Sequence, residues 1–345
     1  MRKLNLLILS FAMLSVSCFA FSKNKIAEQI PDWVNNPYSV YDSEKYFASV
    51  GEDESRQKAE VNAVQNIASL FGQDIDLVTT ASQHMESKQS EENITTEEWK
   101  KINLEIIKRV NQKDIFGIEI KEYWLDEKRN VWYVVAVIDK ANASEIYKGL
   151  IEKNNEEINV AQNNAAEKKS MLEKYLYYKF AKNIAEKNDV HIKRLSVINQ
   201  DMGKILQDKS FSSEELLGKM KETASSAPVF ININGDEKGI IKAALVSVLS
   251  EEGFITTEDN SSSYVLSGSA YFTVSENSTG KITFCKYSFE CGIDDSITTL
   301  KLFTYSTSGR EGSGDASGAK QRSVKKIQNG ILEEYPLVFE KEIEK

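Results

Sequence analysis

Histidine is nearly absent from this chain of 345 residues: there are two, His84 and His191, and neither has a motif around it. A zinc site draws on several His, Cys or carboxylate ligands at set spacings, and His-Glu-x-x-His does not occur. No metal and no other cofactor is therefore expected, and both histidines read as solvated or capping side chains. A basic excess is missing as well. With 43 Lys and Arg against 52 Asp and Glu the formal charge is −9, which argues against nucleic acid, since a phosphate-binding surface shows up as a basic cluster. The apolar run Leu4 to Val16 is too short to span a bilayer comfortably. Cysteine is limited to Cys18, Cys285 and Cys291. The last two fall on one face of a single alternating segment, about 20 Å apart at about 3.3 Å per residue. A disulfide needs Cα atoms within about 7 Å, so they are expected to stay unpaired.

What is present at the N-terminus reads as a secretory leader over residues 1–20: Arg2 and Lys3, the apolar run, then small residues. Two cleavage readings stand side by side. Leu14-Ser15-Val16-Ser17-Cys18 is a loose lipobox that would make Cys18 the acylated N-terminus, and Cys18-Phe19-Ala20 also suits an ordinary signal peptidase. In a strict lipobox the position of Ser15 is Leu, Val or Ile.

The rest is organised around residues 31–71. Tyr46 to Val50 run extended into Gly51, three acids follow, and Val64, Ile67, Phe71, Ile75 and Val78 then recur at helical spacing. Pro31-Asp32-Trp33-Val34, the aromatic strand ending in Val50-Gly51 and the alanine-bearing helix resemble the bacterial Lpp-twenty lipoproteins. The resemblance spans residues 31–150. It implies an exported cell-envelope lipoprotein, anchored at the outer membrane and facing the periplasm, with envelope proteins such as outer-membrane or flagellar-ring components as partners. A non-catalytic structural or adaptor role is expected, against the alternatives of a soluble periplasmic protein that binds a small ligand or peptidoglycan and of an envelope hydrolase.

Further along, Thr95 and Glu98 have capping-box spacing ahead of a helix carrying Trp99, Ile102, Ile106 and Val110. Phe116, Ile118, Ile120 and Trp124 alternate as a strand, and with Val131 to Ile138 they read as a hairpin with a buried second arm. From Ala141 to Lys187 the chain reads as a long helix or a helix pair, with a thin seam interrupted at Glu167-Lys168-Lys169 and a break at Asn188-Asp189. Either two antiparallel helices pack on the flanking domains, or the seam is a coiled-coil partner surface; the broken heptads argue against the second. Ser212 and Glu215 cap a further short helix.

After Pro228 come a strand from Val229 and a helix closed by Gly253. Three alternating segments follow (264–274, 282–293, 297–306), with turns at 277–280 and 292–296. A glycine-rich loop over 308–318, a helix with Val324, Ile327 and Ile331, and an edge strand at 337–339 complete the chain. The expectation is an α+β protein: two α/β-sandwich-like domains with antiparallel sheets, residues 31–150 and 227–345, joined by a helical segment, residues 151–226.

Catalytic motifs fail on detail. Gly314 and Gly318 are followed by Asp315 and Ala319, not by the Lys-Ser/Thr of a Walker loop. Ser317-Gly318-Ala319-Lys320 has the Ser-x-x-Lys form, but so do stretches beginning at Ser22, Ser55, Ser278 and Ser323, and neither Ser-Asp-Asn nor Lys-Thr-Gly completes the set. Adjacent acids such as Glu156-Glu157, Glu251-Glu252 and Asp294-Asp295 are common by chance in so acidic a chain. Cys18 is thus the single site residue the sequence offers, as a lipidation site.

Overall fold

A computed structural model describes residues 30–86, 115–276 and 282–342, with side chains beyond residue 72 in the first segment left aside. Cys18 and the helix expected from Thr95 to Val110 lie outside the described residues.

The N-terminal unit is a three-stranded antiparallel sheet of order β1-β3-β2: β1 Tyr46–Asp53, β2 Ile118–Asp126 and β3 Val131–Asp139. β3 is central, and Tyr133 to Ile138 are buried on both faces, which is why its sequence is a continuous apolar run. On one face lies α2 (Arg56–Glu86), which presents Ala59, Ala63, Ile67 and Phe71. Its approach depends on Gly51. A Cβ there would stand 2.2 Å from the Ala63 nitrogen and 2.3 Å from the Ala59 oxygen, so the Val-Gly strand end is where helix backbone meets strand backbone. The acids at 52–54 precede α2, and Asp53 accepts from the Ser55 amide at 2.9 Å. The opposite face is covered by α1 (Asp32–Asn35) and the turn at Pro37–Ser39. Trp33 is buried there among Ala48, Tyr133, Val135 and Val137.

Asp139 ends β3 and caps α3 (Lys140–Glu167), accepting from the Ala141 and Asn142 amides. Helix α3 therefore runs without interruption across residue 150. The Glu167-Lys168-Lys169 gap is the bend into α4 (Met171–Ile198), whose cap is Ser170. Asn188-Asp189 is not a break: α4 continues for ten residues past Asn188 and stops at Asn199, which caps α5 (Gln200–Lys209). Asn188 is buried and answered from α3. It accepts from Asn154 Nδ2 (2.8 Å) and donates to Asn155 Oδ1 (3.1 Å) and the Ile151 carbonyl (3.3 Å), so a residue that favours caps in isolation sits satisfied in mid-helix. Ser212 caps α6 (Ser213–Ser225) through the Glu215 amide.

The C-terminal sheet has the order β5-β4-β6-β7-β8, built from β4 Val229–Asn234, β5 Thr256–Thr257, β6 Tyr264–Glu276, β7 Thr283–Asp295 and β8 Leu300–Ser313. Strands β6, β7 and β8 form the expected antiparallel meander. β4, by contrast, runs parallel to both neighbours, because α7 (Ile240–Glu251) crosses over between β4 and β6. Gly253, at φ +92°, closes α7 as expected. The turn placed at 292–296 falls instead at 296–299, where buried Asp295 accepts from the Ile297 and Thr298 amides. The glycine-rich stretch is largely strand: β8 passes through Gly309 and Gly312, and α8 (Ala316–Lys341) begins three residues after it ends. The edge strand at 337–339 is absent; those residues belong to α8. Leu337 is exposed and Phe339 fully buried, although positions two apart share one face of a strand, and the buried set is Ile327, Ile331, Tyr335 and Phe339, a helical repeat of four.

Candidate functional site

Helix α4 organises the molecule. Its 28 residues span about 42 Å at about 1.5 Å each, and they enter successive cores. Leu172 and Tyr175 belong to the C-terminal core with Phe254, Phe303 and Phe339. Ala181, Ile184 and Ala185 meet α3 and α6, Ile192 and Leu195 meet Tyr147, Ile151 and Leu206, and Ile198 packs against the N-terminal sheet's core. His191 sits half-buried on this helix beside Phe116 and Tyr147, with ring centroids 6.1 and 5.8 Å away, so it is a packed side chain and not a cap.

Buried polar contacts fasten the N-terminal half of α4 to the C-terminal domain. Lys179, almost wholly buried, donates to Glu252 at 2.7 Å and pairs with Glu340 at 3.0 Å. Tyr175 donates to the same Glu252 carboxylate, and its burial, reinforced by that carboxylate, raises the phenol well above its usual range. Ser170 donates to Asp295, joining the α4 cap to the β7–β8 turn, and the Met171 amide donates to Tyr264 Oη at 2.9 Å. The two acid pairs Glu251-Glu252 and Asp294-Asp295 are thereby explained in part as structure: Glu252 answers a buried ammonium and Asp295 shapes a turn.

The C-terminal sheet has helices α7 and α8 on one face, and the other carries a polar trough of about 470 Å³. Asn232, Asn234, Ser267, Ser269, Glu290 and Ser306 line it. Lys301 reaches across Gly292 to donate to Ser267 Oγ at 2.9 Å and to Asp294 Oδ2 at 3.3 Å; a Cβ on Gly292 would stand 2.8 Å from the lysine stem. Amides, hydroxyls and one carboxylate in an open trough can hydrogen-bond a hydroxylated ligand. Sequence reading missed this lining, because serine and asparagine at alternate strand positions look like any solvated face.

The remaining candidates do not converge. Ser317 and Lys320 sit in the first turn of α8, where Lys320 pairs with Glu237 at 2.9 Å. Cys285 and Cys291 are buried, unpaired and in one strand, as expected, and burial pushes the Cys291 thiol up to about 12. Among the described residues no cluster of His, Cys, Asp or Glu has the makings of a metal site, and no helix is long and apolar enough to cross a membrane.

Among solved structures, a secreted protein of Helicobacter pylori is similar at 14% identity with a TM-score of 0.46, over 85% of this chain and 97% of its own. A minor lipoprotein of Acinetobacter baumannii aligns over 34% of this chain and 91% of its own (10% identity, TM-score 0.24). A lipoprotein of Neisseria meningitidis aligns over 30% and 97% (18% identity, TM-score 0.22). No curated protein matches the chain. Residues 31–139 match the LPP20 lipoprotein family, the family that the motifs from Pro31 to Phe71 resemble.

Proposed function

We propose that this protein is an envelope lipoprotein, held through Cys18 at the outer membrane and facing the periplasm, that works without catalysis by keeping other envelope components in place. The observation that carries the reading is helix α4. One helix shared by the family domain, the helical segment and the C-terminal core fixes their mutual positions, as suits a spacer between an anchor and a presented surface. The partners implied are outer-membrane or flagellar-ring proteins. In-cell crosslinking and pull-down of the tagged full chain, beside Cys18→Ala, is the test. Recovery of envelope proteins by the wild type and their loss with Cys18→Ala supports the reading; hydrolysis of an envelope polymer by the purified protein overturns it.

The polar trough favours a second reading, a binding protein for a hydroxylated ligand such as a peptidoglycan fragment. Titration with soluble peptidoglycan fragments, followed by NMR of residues around Ser267 and Ser269, separates the two.

A further inference from the structure

The α3–α4 hairpin is closed on one side only. Helix α6 fills one crease, where Leu216 joins Ile158, Ala161, Ala181 and Ala185 in a buried core. On the side away from α6 runs an open groove of about 630 Å³. Its floor is apolar: Val160 and Ala161 from α3, and Leu176, Tyr177 and Phe180 from α4. With the polar positions beside them, the lining steps by three and four residues along both helices, through Lys153, Glu156, Val160 and Asn164 on α3 and Glu173, Leu176 and Phe180 on α4. The groove is therefore the crease between two antiparallel helices, the shape into which a third helix packs. Val160, at its centre, is 51% exposed, while Leu176, Tyr177 and Phe180 are only half covered.

The rim decides what the third helix would carry. Four carboxylates, Glu156, Glu157, Glu173 and Glu342, stand in its wall against the single ammonium of Lys153. Lys153 lies 3.6 Å from Glu157, and Lys168, just outside, lies 2.9 Å from Glu173, yet the balance at the groove stays negative. An apolar floor inside an acidic rim is complementary to an amphipathic helix with an aliphatic face flanked by Lys or Arg. A second copy of this acidic chain, at formal charge −9, suits it poorly.

We propose that this groove docks an amphipathic basic helix of a partner protein, which deepens the adaptor reading and rests on it. The test uses the full chain and three synthetic peptides of about four helical turns: one with a Leu face flanked by Lys, one with Glu in place of every Lys, and one with the first peptide's composition scrambled to destroy amphipathicity. The basic amphipathic peptide is expected to bind, and its affinity to fall as salt rises through the range where the Debye length shrinks below about 10 Å. Val160→Glu is expected to weaken it at least about tenfold, since it sets a charge against an aliphatic face. Val40→Glu, at an equally exposed valine on the N-terminal domain, should leave it unchanged. Equal binding of all three peptides, no binding of the first, or indifference to Val160→Glu overturns the proposal. A change in the oligomeric state of the peptide-free protein on Val160→Glu also overturns it, by assigning the groove to a second copy. If the peptide fails while the pull-down still recovers partners, the groove assignment alone falls; if the peptide binds and the pull-down is empty, the adaptor reading falls.

Discussion

Replacing Lys179 by Met removes a buried ammonium, which lies 5.9 and 5.8 Å from the Tyr175 and Phe339 ring centroids, and leaves an unbranched apolar side chain in its place. The Glu252 side chain, only 15% exposed, then loses its 2.7 Å partner and keeps only the Tyr175 hydroxyl among its described side-chain partners. Stripping one member from a buried pair typically costs about 3–5 kcal/mol, most of it the penalty of leaving the other charge uncompensated. Glu340 is half exposed and adds little, since a solvated pair is worth at most about 1 kcal/mol. The double variant Lys179→Met/Glu252→Gln replaces the orphaned carboxylate by a neutral amide that can still accept from Tyr175. It is expected to regain at least half of the loss. Urea unfolding of the protein without its leader, followed by far-UV circular dichroism and by tryptophan fluorescence, gives both numbers. Because the described tryptophans all lie in the N-terminal unit while Lys179 anchors the C-terminal core, coincident shifts in the two probes would show that α4 couples them. A single variant that loses less than about 1 kcal/mol, or a double variant that loses the sum of its parts, would refute the reasoning.

Gly51→Ala is expected to destabilise by about 1–3 kcal/mol or more, because its methyl meets α2 backbone and not a movable side chain, and thermal unfolding of the variant checks it. Asn188→Leu leaves Asn154 and Asn155 facing an apolar group and should cost about 1–3 kcal/mol by urea unfolding, although leucine is the better helix former. Cys285 and Cys291 should both be alkylated after denaturation without reductant. In the native state Cys291 should stay largely unreactive at pH 8, since a thiol whose folded pKa is pushed up to about 12 is almost all protonated there. Mass spectrometry of the mature N-terminus should find an acylated Cys18; an unmodified chain beginning at Phe21 would contradict it.

The elements most legible in the sequence were those whose cause is local. The apolar run of β3, the Ser212 cap and the Gly253 stop each announce themselves within a few residues, and so does the strand, glycine and helix order around Gly51. The features that escaped depend on partners far away in the chain. Asn188 reads as a break until Asn154 and Asn155 are placed beside it. Leu337-Val338-Phe339 is a short apolar run that would serve a strand as well as a helix, and its helical face shows only when Phe339 is stacked on Phe303 at 4.4 Å between centroids while Leu337 is left exposed. The parallel pairing of β4 leaves no mark in its own six residues; it follows from the crossover through α7. The acidic groove was hidden for a similar reason, since Val160 and Phe180 lie on different helices and become neighbours only when the hairpin closes.

The shared helix also sets an order of events for a chain that emerges from its N-terminus. The strands of the first sheet are complete by Asp139, so that unit can collapse early around Trp33 and β3. Helix α4 follows, and its Leu172 and Tyr175 end must wait with apolar side chains uncovered until α7, the β6–β8 meander and finally α8 arrive, the last of them delivering Phe339. That long interval between making a surface and covering it is when such a chain is most prone to aggregate. A truncation just before α8 would leave the interval open, producing a protein whose first half is folded and whose second half still invites capture by chaperones or proteases.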